Sequence, residues 1–124
     1  MLDIYTFIKV LLIFTIIDIP MITYINNSMY EKQFNRIQGS IKVPKIRIIL
    51  SATISYLLLG LAIYHFAVKQ KSVINGILIG LFIYGVYNTT NLATIKNWGL
   101  YESIIDTLWG ATLCGIITWI SINY

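Results

Sequence analysis

Four long apolar runs, separated by short polar segments, dominate the pattern of positions along the chain. They cover residues 4–25, 46–68, 73–95 and 100–122, and each is close to the roughly 20 residues that cross the hydrocarbon core of a bilayer. A segment inside lipid must satisfy its own backbone hydrogen bonds, so each run is predicted to be a helix. The pattern predicts an all-α membrane protein, with residues 1–124 forming a single domain.

The connections between the runs determine how the predicted helices are arranged. Residues 69–72 and 96–99 join the last three runs, and links this short require antiparallel neighbours. We therefore expect an up-down bundle of four transmembrane helices. The first run lacks the basic leader and the small-residue cleavage site of a signal peptide, so we expect it to remain in the protein.

The longer first connection, residues 26–45, has a helical pattern of its own. Ser28 and Glu31 have the spacing of a capping box, and Gly39 suits a helix end. Apolar side chains recur at helical spacing, at Tyr30, Phe34, Ile37 and Ile41. This pattern predicts a short amphipathic helix over about residues 28–38 that lies in the membrane interface. The alternative is an ordinary polar loop.

Composition supports a membrane location and excludes several kinds of site. The chain of 124 residues is 57% hydrophobic and 11% charged, whereas soluble domains carry about 25% charged residues. A soluble fold of this size could not bury so much apolar surface. A single cysteine, Cys114, and a single histidine, His65, exclude an intrachain disulfide and any site built from several of these residues. No metal and no cofactor are predicted.

Positive charge is concentrated in the first connection. The formal net charge of +4 is too small and too dispersed for nucleic-acid binding, and it is more typical of loops that face anionic headgroups. The predicted headgroup contacts are Lys32, Arg36, Lys42, Lys45 and Arg47. Because cytoplasmic loops carry the excess of lysine and arginine, the first and third connections are predicted to be cytoplasmic and both termini to lie outside.

Ionisable side chains inside the runs are the candidates for function, because a charge in lipid is costly and usually faces a partner or a cavity. Asp18 is near the end of the first run and Asp106 near the start of the fourth, so an antiparallel bundle brings both to one level. The candidate ligand-binding residues of this polar layer are Asp18, Asn88, Thr90, Asn91, Thr94, Trp98, Asp106 and Trp109. They form either a pocket for a small polar ligand, ion or lipid headgroup, or a network that only fixes helix packing.

Small residues mark the faces on which helices in lipid approach each other closely. The residues assigned to helix packing are Gly76, Gly80, Gly110, Ala111 and Gly115. An alternative use of one of these faces is contact with a second copy of the chain, in a homo-oligomer, or with another membrane protein.

The third and fourth runs carry an unusual motif. Residues 90–94 read Thr-Asn-Leu-Ala-Thr, Trp98 follows, and Asp106 begins an Asp-x-x-Trp-Gly sequence that ends at Gly110. This motif resembles that of a family of small membrane proteins catalogued as domain of unknown function 2177. The resemblance implies four spans and a membrane location, and it implies no reaction. Members of the family occur in bacteria and in large DNA viruses.

The resemblance extends more weakly to the rest of the chain. Asp18 matches an aspartate near the end of the family's first helix, and the region around Tyr30 resembles a segment that follows it. The chain departs from the family pattern at Asn88, where an acidic residue is usual, and at residues 19–21, where a tryptophan is usual. Loss of one carboxylate weakens any mechanism that needs three acids in the polar layer.

Three functions are compatible with this sequence. The first is a non-enzymatic membrane protein whose polar layer binds a small ligand, ion or lipid headgroup. The second is a structural membrane-assembly protein, for example of a virion, that acts through its contact faces. The composition is typical of AT-rich genomes, which fits some large DNA viruses and some bacteria. The third is a small lipid-modifying enzyme. It ranks last because no phosphate loop, nucleophile elbow or zinc signature is present, and no catalytic residue is assigned.

Overall fold

The structure, a computed structural model, describes residues 1–25, 27–39 and 43–124. Its helices are α1 (Ile4–Pro20), α2 (Asn27–Gln38), α3 (Lys45–Ile63), α4 (Val73–Thr94) and α5 (Leu100–Asn123). The chain is 87% helical, and the described residues contain no strand. Two predicted positions, Ile41 in the apolar pattern of the first connection and Lys42 among the headgroup contacts, lie outside the described residues.

Four of the helical segments are long and apolar enough to cross a membrane. They are Ile4–Tyr24, Lys45–Val68, Val73–Thr94 and Leu100–Asn123. The first two segments each end in a wider, π-helical turn. These turns are Met21–Ile25 and Tyr64–Val68. The first of these turns follows Pro20, which has no N–H to continue the α-helical ladder. The predicted all-α fold with four transmembrane helices is confirmed.

The short helix α2 lies between the first two spans. It begins at Asn27, so Ser28 lies in its first turn and does not cap it, contrary to the capping-box pattern. It ends at Gln38. The next residue, Gly39, has a φ of 69° in the left-handed region, and its N–H donates to the Asn35 carbonyl at 3.0 Å. A glycine adopts this conformation without the penalty that a Cβ would bring.

Helices α4 and α5 form the most extensive contact between two elements. A Cβ added at Gly80 would overlap the carbonyl oxygen of Gly110 and lie 2.8 Å from the Ala111 Cα. In the same interface Gly76 lies against Thr118. A Cβ at Gly115 would lie 2.7 Å from the Ile77 side chain. Small residues therefore let the two backbones approach closely. Such close contact favours helix association in lipid, where van der Waals packing holds helices together.

The two ends of the bundle are packed very differently. The apolar core consists of Val10, Phe14, Ile63, Val68, Leu113, Cys114 and Ile117. These residues lie in the half of the bundle that contains the turn between α3 and α4. In the other half α3 has no buried residue before Gly60, and it packs mainly on α1 with little contact to α4. The bundle is therefore closed at one end and open between α3 and α4 at the other.

Lys9 shows how the closed end accommodates a charge inside the first span. Its Nζ donates to the carbonyl oxygen of Ser121 at 2.8 Å. Ser121 lies in the last turn of α5, where backbone carbonyls have no partner within their own helix. The lysine therefore satisfies one of these carbonyls across 112 residues of sequence.

Candidate functional site

Asp106 is the centre of a hydrogen-bonded cluster at the open end of the bundle. Its Oδ1 accepts from the Tyr30 hydroxyl at 2.7 Å, and its Oδ2 accepts from the Asn88 Nδ2 at 2.7 Å. The same Asn88 nitrogen also donates to the Tyr84 carbonyl at 2.8 Å. Burial, together with the bond to Asp106, raises the pKa of the Tyr30 hydroxyl above its ordinary value. The phenol, which is protonated at neutral pH in any case, therefore remains a donor at alkaline pH as well.

Helix α2 is held over this cluster by contacts with the connection between α4 and α5. Gln33 is only 3% exposed, and its Oε1 accepts from the Gly99 N–H at 3.0 Å. Arg36 forms an ion pair with Glu102 at 2.9 Å. Trp98 packs edge-on against Phe34 with ring centroids 6.2 Å apart. These contacts place α2 as a cover across the end of the bundle.

A cavity of about 650 Å³ lies beneath α2. Its roof comes from Tyr30, Gln33 and Phe34 of α2. Its walls are mostly apolar and include Leu58 and Leu59 of α3, Ile83 of α4 and Ile22. The volume lies in the range of known small-molecule sites, which is about 300–1,000 Å³.

Asp106 and Asn88 form the polar end of this cavity, beside Tyr84 and Tyr87 of α4. Trp98, which is 9% exposed, closes this end, with its Nε1 3.4 Å from the Asn88 Oδ1. No lysine, arginine or histidine stands among the described residues that line the cavity. Asp106 therefore faces a mostly apolar space whose described lining supplies no positive charge.

Asp18 has a different environment, although it lies at a similar depth. It is 3% exposed, and it accepts from the Tyr56 hydroxyl at 2.7 Å and from the Trp109 Nε1 at 3.0 Å. It is not among the residues that line the cavity. The carboxyl group of Asp18 thus ties α1 to α3 and α5 and does not border the cavity.

The sequence of this chain matches a known protein family. The family described as predicted membrane protein (DUF2177) matches residues 3–123. The chain belongs to this family. No curated protein and no solved structure matches the chain. Membership therefore establishes a membrane protein of unknown function and assigns no activity.

This DUF2177 protein does not bring all the predicted polar-layer residues together. Thr90 and Thr94 are exposed, and their hydroxyls donate to carbonyls of their own helix, those of Val86 and Thr90 at 2.7 and 2.8 Å. Asn91 is half-buried beside Tyr87 and does not line the cavity. The structure separates the remaining residues into one cluster around Asp106 and another around Asp18.

Two tyrosines central to these clusters were not assigned to the polar layer from sequence. Tyr30 belongs to the apolar stripe that the sequence predicts for the interfacial helix, and Tyr56 lies in the middle of the second span. Tyr56 is unusually deep, because tyrosine in membrane helices favours the interfaces. That depth is the feature of the sequence that indicates a polar partner for its hydroxyl. For Tyr30 the signal was its place in a segment that resembles the DUF2177 pattern.

Proposed function

We propose that this protein is a membrane-embedded binding protein whose cavity holds a small molecule through the carboxylate of Asp106. The observation that carries the proposal is a carboxylate that faces an apolar-walled cavity of about 650 Å³. Such a combination of apolar walls and a few converging polar groups is typical of small-molecule sites.

The hydrogen bonding of Asp106 indicates the chemistry of the ligand. A carboxylate has about four acceptor positions, and Tyr30 and Asn88 each occupy one. The remaining positions favour a ligand that donates hydrogen bonds, such as a hydroxyl or an ammonium group. A phosphate or carboxylate beside Asp106 would meet a like charge with no described cation in the lining to offset it.

The structural alternative is favoured at Asp18. This residue is buried, accepts hydrogen bonds from Tyr56 and Trp109, and lies outside the cavity lining. We propose that Asp18 fixes the relative positions of α1, α3 and α5 while Asp106 binds ligand. The two aspartates then have separate roles, whereas the sequence suggested a shared one.

Native mass spectrometry of the gently solubilised protein tests the binding role of Asp106. We expect a defined bound mass on the unchanged protein and a 10- to 100-fold loss of affinity in Asp106→Asn. This is the equivalent of a charge-assisted hydrogen bond of about 1.5–3 kcal/mol. Asp3→Asn is the matched control, since Asp3 caps α1 at the opposite end of the bundle, asparagine caps a helix about as well, and Asp3 does not line the cavity.

Equal occupancy in the Asp106→Asn and Asp3→Asn variants would contradict the proposal. An unchanged protein that carries no bound mass, but forms a fixed oligomer or a complex with another membrane protein, would favour the assembly role instead.

We further propose the orientation in which α2 and the connection between α4 and α5 face the cytoplasm. Lys32, Arg36, Lys45 and Arg47 would then lie close to anionic headgroups, which attract basic side chains. A membrane-impermeant maleimide applied to intact cells should label Lys71→Cys and leave Lys96→Cys unlabelled. The native Cys114 is buried and adds little background. The reverse labelling pattern would contradict this orientation and indicate the opposite one.

A further inference from the structure

The open end of the bundle has a side opening that faces lipid. Leu58 of α3 is 64% exposed and Ile83 of α4 is 45% exposed, although both line the cavity. The two helices converge at the turn that joins them and make little contact elsewhere. The cavity is therefore open between α3 and α4.

The depth of this opening determines what fills it. Ser55, also a lining residue, lies about 15 Å along α3 from Lys45 at the rise of an α-helix. That is close to the middle of a hydrocarbon core of roughly 30 Å. Water finds no hydrogen-bond partners at this depth outside the protein, so hydrocarbon from the bilayer is the available occupant.

We propose that the ligand is a membrane amphiphile that reaches Asp106 sideways, through the gap between α3 and α4. Its chain lies along Leu58 and Ile83, and its headgroup donates hydrogen bonds to Asp106. This inference rests on the proposed binding function and adds the class and the route of the ligand. The headgroup is a hydroxyl or an ammonium group without phosphate.

Selectivity comes from the headgroup, because a hydrocarbon chain is in an equally apolar environment in the bilayer and in the cleft. Asp106, already hydrogen-bonded by Tyr30 and Asn88, discriminates by charge and by donor capacity. Neutral and cationic amphiphiles are therefore accepted, and anionic amphiphiles of the same chain length are excluded.

The test uses a monoacylglycerol with a photoreactive diazirine in its chain, added to the protein in lipid nanodiscs. We expect adducts on Leu58, Leu59 and Ile83. Excess plain monoacylglycerol or a long-chain primary amine should compete, and a fatty acid of equal chain length should not. In Asp106→Asn, competition by the amine should weaken more than competition by the monoacylglycerol, because only the amine carries a positive charge. This difference shows whether the natural headgroup is cationic or neutral.

A matched pair of variants tests the route. Ser51 and Ser55 are both exposed on α3 one turn apart, and only Ser55 lines the cavity. Ser55→Trp should reduce the competable adducts at least tenfold, whereas Ser51→Trp should leave them unchanged. Binding that still depends on Asp106 but produces no adducts on these walls, or is unaffected by Ser55→Trp, would overturn the lateral route while the binding function stands. Absence of any competable adduct together with absence of a bound mass would overturn both.

Adducts in the unchanged protein need no variant, so the route can be refuted even if Ser55→Trp fails to fold. Labelling of the exposed Leu50 and Ile54, which do not line the cavity, measures non-competable contact with surrounding lipid.

Discussion

Gly80→Ala is expected to lower the free energy of unfolding by about 3 kcal/mol, at the upper end of the usual cost of overpacking. The added methyl group would overlap the carbonyl oxygen of Gly110. This oxygen belongs to the backbone of α5, which packs directly on α4, so no flexible side chain can move aside. Reversible unfolding of the protein in mixed micelles with increasing denaturing detergent measures the change.

Gly85→Ala is the matched control on the same helix. A Cβ at Gly85 would lie 3.7 Å from the Thr107 Cγ2, which is an ordinary van der Waals contact. We expect this variant to be neutral or to gain about 0.5–1 kcal/mol, because alanine restricts the unfolded chain more than glycine does. If the two variants had equal stability, the α4–α5 backbones would not be as close as the structure places them.

Asp18→Ala is expected to lower the free energy of unfolding by about 2 kcal/mol. The substitution leaves the Tyr56 hydroxyl and the Trp109 Nε1 without their acceptor in the interior of the bundle, and an unsatisfied buried polar group costs about 1–3 kcal/mol. The same detergent titration measures the loss.

Tyr56→Phe provides the comparison, because it removes one donor and keeps the bond from Trp109 to Asp18. We expect a loss near the average of about 0.6 kcal/mol for such a bond in membranes. Asp106→Ala should also be milder than Asp18→Ala, since Asp106 is half-buried at an open cavity. Normal stability of Asp18→Ala combined with loss of the bound mass would assign Asp18 to the ligand site.

The four spans could be predicted because lipid makes length and apolarity a local requirement on each segment. The separation of Asp18 from Asp106 could not. It depends on the rotation of each helix about its axis, which decides whether a carboxylate meets Tyr56 or the cavity. Helices that are apolar on nearly all sides carry little record of that rotation in their pattern.

Helix α2 shows the same limit at shorter range. Its apolar stripe, predicted to face the membrane interface, includes Phe34, and Gln33 stands outside that stripe. The structure buries Gln33, because its amide oxygen accepts from the Gly99 N–H at the start of α5, and Phe34 is 41% exposed. A distant backbone donor at a helix start outweighs the local preference of a polar side chain for water.

The bond from Trp109 to Asp18 joins residues 91 positions apart. A polypeptide leaves the ribosome from its N-terminus, so the first span meets the bilayer long before Trp109 has been made. Of the described side chains that donate to Asp18, the other one is Tyr56 of the second span, which is made earlier. Arrival of the last span therefore completes the assembly, and a nascent chain that stops before it still carries an aspartate that lacks its indole donor.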